Sequence, residues 1–312
     1  MLCVYAVPYG LGAGAIDAAL NNYVAIHYSS RHMSWLHCFW GVGAMTSPYI
    51  MSCALTHSVW NNGNRYTAFI QFAIVVLLVV TLPLWKKDKS ADAGEKTGKV
   101  LGIGGTVKIK GVPTILVGFL AYCAAEATTT MWAGSYFAEA RNVPESTAAA
   151  LAALPFMGIT AGRFLSGFVS DKLGDRNMIR CGAAVIFVGL ICIAFPAKNL
   201  APAVIGFALL GLGCAPVYPS IIHSTPTNFG RENSQGIIGI QMASAYVGTT
   251  FLPPLLGILG QHFGLEILPY YCLIFFTLMI FMTEKTFVAV GNSSSCSKET
   301  NYKKSIDKLK IF

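Results

Sequence analysis

The chain has 312 residues, of which 54% are hydrophobic and only 12% are charged, and its formal net charge is +8. Water-soluble domains carry about a quarter charged residues, so a chain this poor in charge needs a solvent other than water around most of its surface. The positive balance does not describe a nucleic-acid binder, because Lys and Arg fall in the connections between apolar blocks and no basic stripe with interleaved aromatics occurs.

The apolar blocks have the length of about 20 residues that a helix needs to cross hydrocarbon. In lipid the backbone must satisfy its polar groups within the segment, so the spans are helices. The pattern predicts an all-α, polytopic transmembrane bundle with spans at 3–26, 34–56, 66–85, 113–137, 147–170, 178–197, 201–223, 234–258 and 266–288. The first span carries Asp17 and Asn21, and the second carries His37 and Trp40. After the third comes a polar stretch, Lys86 to Lys110, rich in Lys, Gly and Asp, which reads as a flexible linker. The fourth span holds Glu126 on a stripe with Tyr122, Thr129, Thr130 and Ala133, and beyond it Trp132 and Tyr136. Arg163 lies in the fifth, Tyr218 and His223 in the seventh, and Gln241 in the eighth. The tail from Gly291 is polar and basic and is expected to be unstructured.

The basic residues set an orientation. With the linker in the cytoplasm, 18 Lys and Arg fall on that side and three (Arg65, Arg141, Lys198) on the other. This positive-inside asymmetry makes linker and tail cytoplasmic and puts the first residue outside. The nine cysteines lie mostly in apolar blocks without a CxxC pair or zinc spacing, and act as small apolar residues. His27, His32 and His37 recur every five residues, on different helix faces, so no metal site is expected there.

An internal repeat runs through the chain. Gly10-Leu11-Gly12 recurs as Gly211-Leu212-Gly213, Arg31 as Arg231, and Val42-Gly43 with Pro48 as Val247-Gly248 with Pro253, at an offset of about 200 residues. Spans one to three thus read as a copy of spans seven to nine, and spans four to six lack a partner. On this logic about three helices would precede residue 1.

Two bundles built from repeated halves around a basic linker resemble the major facilitator superfamily. Gly167-Phe-Val-Ser-Asp171-Lys172-Leu-Gly174-Asp-Arg176 is similar to that family's G-x-x-x-D-[RK]-x-G-x-[RK] loop motif. Within the superfamily, Asp17-Ala-Ala-Leu-Asn21-Asn22-Tyr23 resembles the E-T-A-x-N-P-Y pattern of the fucose–proton symporter branch, with Asp for Glu and Asn22 for Pro, and His37 falls where that branch has a sugar-contacting Gln. The resemblance implies helices four to twelve of a twelve-helix, two-bundle fold: an incomplete first bundle at 1–85, a linker at 86–112, a six-helix bundle at 113–290 and a tail at 291–312. It also implies a secondary transporter, working by alternating access in the plasma membrane and not an enzyme, with a small-molecule substrate (a sugar or similar polar solute) and protons as partners.

Ionisable groups inside spans are costly and point to function. Asp17 and Glu126 are the proton-coupling candidates. Asn21, His37 and Gln241 can bond sugar hydroxyls, while Trp40, Trp132 and Tyr218 can cover the sugar's C–H face. Trp132 has an alternative place in the interfacial belt. His223, near a cytoplasmic end, reads as a satisfied polar residue. Arg163, one turn before Gly167, is expected to join Gly167, Asp171, Lys172, Gly174 and Arg176 in a cytoplasmic gate latch. No P-loop, HExxH or clustered Ser/His constellation occurs, so no cofactor and no membrane-embedded chemistry is expected. A transporter of the same fold for drugs or organic acids, or an inactive fragment, is the competing reading.

Overall fold

The computed structural model describes residues 2–57, 60–84, 102–196 and 199–309. Most of the expected linker, and Lys198, lie outside the described residues. The long helices are α1 (Leu2–His27), α2 (Ser30–His57), α3 (Trp60–Thr81), α5 (Val112–Ser135), α7 (Leu154–Leu173), α8 (Asp175–Ala194), α9 (Ala201–Cys214), α12 (Arg231–Phe263) and α13 (Leu268–Leu309). Short pieces join them: α4 (Ile103–Val107), α6 (Glu145–Leu151), α10 (Val217–His223) and α11 (Thr225–Phe229). Helix is found at all nine expected positions. Seven spans among the described residues are long and apolar enough to cross a membrane, beginning at Asn61, Val112, Glu145, Asp175, Ala201, Arg231 and Leu265. α1 and α2 are not among the seven, and both carry polar groups inside the helix, Asp17, Asn21 and Asn22 in one and His37 in the other. α13 runs to Leu309, so the tail expected to be unstructured is helical there; no Pro or Gly interrupts the chain after Gly291.

Two compact units are present, residues 1–37 with 101–312, and residues 38–100. In the second unit, Gly63 of α3 packs on Met51 and Ala54 of α2, and α3 leaves Phe69, Phe72, Leu77 and Val80 exposed.

The first unit is an inside-out arrangement. Large apolar side chains such as Ile191, Phe251, Ile274 and Phe281 are more than half exposed, while Asn21, His37, Arg163 and Gln241 are buried. Such a surface is stable only in an apolar solvent. Glycines let its helices cross closely. A Cβ on Gly158 of α7 would lie 2.5 Å from the Ala208 carbonyl oxygen, and one on Gly182 of α8 would lie 2.6 Å from that of Gly213. α9 is thereby held against both neighbours, backbone to backbone. Prolines in the first turns of α5, α7, α9 and α11 cost no hydrogen bond, because those amides have no partner inside the helix. The reversal between α7 and α8 is made at Gly174, whose φ is +74°. Nothing lies within 4 Å of a Cβ there, so the backbone conformation, not crowding, selects glycine.

Candidate functional site

Helices α1, α5, α7, α10 and α12 and the first turns of α2 bring polar groups together inside the first unit. Asp17 and Asn21 lie one turn apart on α1, hence on one face. Asn21 Nδ2 donates to the Asp17 carbonyl at 2.9 Å and to Asp17 Oδ1 at 2.8 Å. That commits the amide, so Asn21 Oδ1 can only accept, and His37 Nε2 donates to it at 3.0 Å. Tyr246 of α12 donates its hydroxyl to Asp17 Oδ2 at 3.2 Å. Asp17 is therefore the terminal acceptor of a directed chain.

The His37 end continues to α7. Arg163 Nη1 donates to the His37 carbonyl at 3.2 Å, and Nη2 lies 3.3 Å from Glu126 Oε1 of α5. Both charges are withdrawn from solvent, with side-chain exposures of 3% for Arg163 and 15% for Glu126. The Tyr218 ring closes the cluster, with its centroid 4.6 Å from that of His37 and 6.0 Å from the Arg163 guanidinium carbon. Its hydroxyl points to Met242 Sδ at 3.2 Å, and Phe119 packs on its ring.

The expected site residues divide. Asp17, Asn21, His37, Glu126 and Tyr218 come together. Arg163 lies with them as well: long side chains on a helix lean toward its N-terminus, and here that is away from the Gly167 and Asp171 end. Gln241 is fully buried and accepts from Thr225 Oγ1 at 3.1 Å, tied to α11 and not to the cluster. Trp132 donates to the Pro253 carbonyl at 2.9 Å and covers Gly257, joining α5 to α12. Trp40 belongs to the other unit and is 56% exposed. Tyr246, half exposed on α12, was not legible in the sequence, since no pattern sets it apart from its neighbours.

The motif residues build a second cluster. A Cβ on Gly167 would fall inside the Trp35 indole, so the ring lies flat on the glycine. Asp171 accepts from Ser29 Oγ at 3.2 Å and from the Arg31 amide at 3.1 Å, and the Arg31 side chain lies 3.3 Å away. Asp175 accepts from Ser30 Oγ at 2.8 Å and faces His223 Nδ1 at 2.7 Å. Arg176 and Arg180 both bind Glu284 of α13 at 2.6 Å. Lys172 is exposed at the end of α7. The loop between α1 and α2 is thus fastened to the junction of α7 and α8.

Apolar-faced helices around a buried ionic and amide cluster define a multi-pass integral membrane protein. Residues 114–301 match the Major Facilitator Superfamily, and the chain belongs to that family, one of transporters and not of enzymes. It is similar to Bypass of stop codon protein 6 of Saccharomyces cerevisiae (22% identical, 89% of this chain and 62% of the relative). It is also similar to an uncharacterized MFS-type transporter of Yersinia pestis (25%, 83% and 65%) and to Membrane protein MosC of Rhizobium meliloti (22%, 83% and 61%). The chain spans less than two thirds of the length of these relatives. Among solved structures, its fold matches FucP in the outward conformation (TM-score 0.70, 15% identical, 88% of this chain and 73% of that one). It also matches a variant of the Escherichia coli fucose:proton symporter (TM-score 0.68, 16%, 88% and 74%).

Proposed function

We propose that the chain belongs to a secondary transporter that carries a sugar or similar neutral polar solute with a proton, by alternating access between a bundle at 1–85 and one at 113–290. The observation that carries this reading is the directed chain from His37 through Asn21 to Asp17 beside the Arg163–Glu126 pair. Arg163 already has a carboxylate partner, so an anionic solute would have to displace Glu126, whereas a neutral polyhydroxyl solute can exchange hydrogen bonds with Asn21, His37 and Glu126. Asp17 is the carboxylate without a cation in the cluster. Accepting from Asn21 and Tyr246 suits its ionised form, and a proton on it would remove one acceptor and loosen α1 from α12. That makes Asp17 the proton carrier and Glu126 the counter-ion, and FucP, whose fold the chain shares, is a fucose:proton symporter. The solute is expected to bind against the faces of Tyr218 and His37.

Uptake in proteoliposomes tests the assignment. Asp17→Asn is expected to abolish accumulation driven by a pH gradient while leaving solute counterflow. Accumulation at the wild-type level in Asp17→Asn would sink the proposal. Orientation is tested separately, with Cys53 and Cys181 replaced by serine. A cysteine at Lys172 should label only from the cytoplasm, as should the linker at 86–112 and the tail at 291–312. A cysteine at Glu145 should label only from outside the plasma membrane, and the reverse pattern overturns the topology.

A further inference from the structure

His223 stands apart from the central cluster and is held in a way that fixes the proton count around it. It ends α10 and reaches two elements at once. Nδ1 lies 2.7 Å from Asp175 Oδ2 at the start of α8, and Nε2 lies 3.2 Å from the backbone carbonyl of Tyr28, just past the end of α1. A carbonyl only accepts, so Nε2 must carry a hydrogen. A neutral imidazole then has a bare lone pair at Nδ1, and an ionised Asp175 offers it only another lone pair. The bridge closes when one extra proton is present, whether it rides on the ring or on the carboxyl. We propose that His223 and Asp175 form a proton-binding site, separate from Asp17, that locks the α1–α2 loop onto α8 and α10 when occupied.

Apart from Asp171, the surroundings leave the pair to itself. On the α7 side Asp171, covered by Ser29 and Arg31, adds its charge to that of Asp175 at His223. On α1, His27 Nδ1 is bonded to the Tyr23 carbonyl, and on α2, His32 Nδ1 faces Ser29 Oγ. On α8, Arg176 and Arg180 are turned to Glu284 of α13. Asp175 Oδ1 is occupied by Ser30, so Oδ2 is the atom left for the ring. With side-chain exposures of 19% and 16%, His223 and Asp175 are shielded enough for the bond to matter and open enough for a proton to arrive. When the proton leaves, one of the two ring contacts becomes a lone pair facing a lone pair, and the hold on Tyr28 or on Asp175 is lost.

Hydrogen–deuterium exchange of the segment 28–33 reads the lock directly, because the Arg31 amide is bonded to Asp171 only while the loop is docked. For the full chain in lipid nanodiscs, exchange corrected for its intrinsic pH dependence should rise about tenfold across the histidine range. In His223→Gln the segment should exchange fast at every pH. In Asp175→Asn it should stay protected at every pH, since the amide can donate to a neutral Nδ1 while Nε2–H still reaches Tyr28. Unchanged pH dependence in either variant, or none in the wild type, overturns the proposal. Nitrogen-15 spectra of the unmutated chain give a measurement that needs no variant to fold. Of the six histidines, one should keep both ring nitrogens hydrogen-bonded, Nε2 protonated and Nδ1 either protonated or accepting from a carboxyl proton, at a pH where the exposed ones are neutral. Its absence also refutes the site.

Discussion

The central cluster and the loop-side cluster are made of the same residue types, and burial separates what they do. In the centre, Arg163 and Glu126 have side-chain exposures of 3% and 15%. On the loop side, Arg31 and Asp171 are 43% and 31% exposed, and the Asp171 carboxylate also accepts from the Ser29 hydroxyl and the Arg31 amide. A buried pair repays its desolvation only while both partners are present. An exposed pair loses little when water takes the place of one partner. The first cluster is suited to hold a poised charge balance, and the second to a reversible fastening.

Removing the buried partner should have the largest effect. Glu126→Gln takes the Glu126 carboxylate away from the buried Arg163 guanidinium, which costs about 3–5 kcal/mol. Thermal unfolding in detergent should show it, and the loss should be recovered in large part by Arg163→Met with Glu126→Leu, which removes both charges and keeps the volume. If the double variant is no more stable than Glu126→Gln, the penalty lies in packing and not in the buried charge.

An intermediate effect is expected where the two clusters meet along α7. Gly167→Ala puts a methyl group into the Trp35 indole, which must shift off the helix and give up its contact with the Phe164 carbonyl at 3.4 Å. Overpacking of this kind costs about 1–3 kcal/mol. Its signature is a blue-to-red change in Trp fluorescence together with faster exchange in segment 28–33, with the central cluster intact. Wild-type exchange in that segment would mean the ring is not what seats the loop.

How far the sequence carried depended on the kind of signal. Helix was legible at all nine positions because length and apolarity are properties of contiguous residues, and Asp17 with Asn21 because one helical turn joins them. The partners of these residues were not legible. Arg163 sits four residues before a recognisable motif, and proximity along the chain suggested a shared role, but the lean of its side chain carries it to Glu126, 37 positions away. Gln241 looked like a binding group because a polar residue within an apolar span is rare, yet its Oε1 is held by Thr225 on the preceding short helix, while its Nε2 is buried without a hydrogen-bond partner among the described residues. His223 looked merely satisfied, and its two acceptors come from α1 and α8, which no pattern within α10 announces. The mates of a polar group inside a bundle are set by tertiary crossing, not by periodicity.

The smallest effect is expected at Arg31, and it is the one that tests whether burial alone separates the clusters. Arg31→Gln removes the cation from Asp171 but leaves the Ser29 hydroxyl and the residue 31 amide donating to the same carboxylate. The remaining acceptor sites are near water, so the loss should stay within about 1 kcal/mol. Salt gives the comparison its second axis. The Debye length falls from about 10 Å at 0.1 M to about 3 Å at 1 M, so the difference between Arg31→Gln and wild type should shrink in high salt. The difference between Glu126→Gln and wild type should not, because ions do not reach the buried pair. Equal destabilisation by the two substitutions, or equal salt dependence, would mean that the loop-side pair is as withdrawn from water as the central one. The fastening would then be a permanent part of the core.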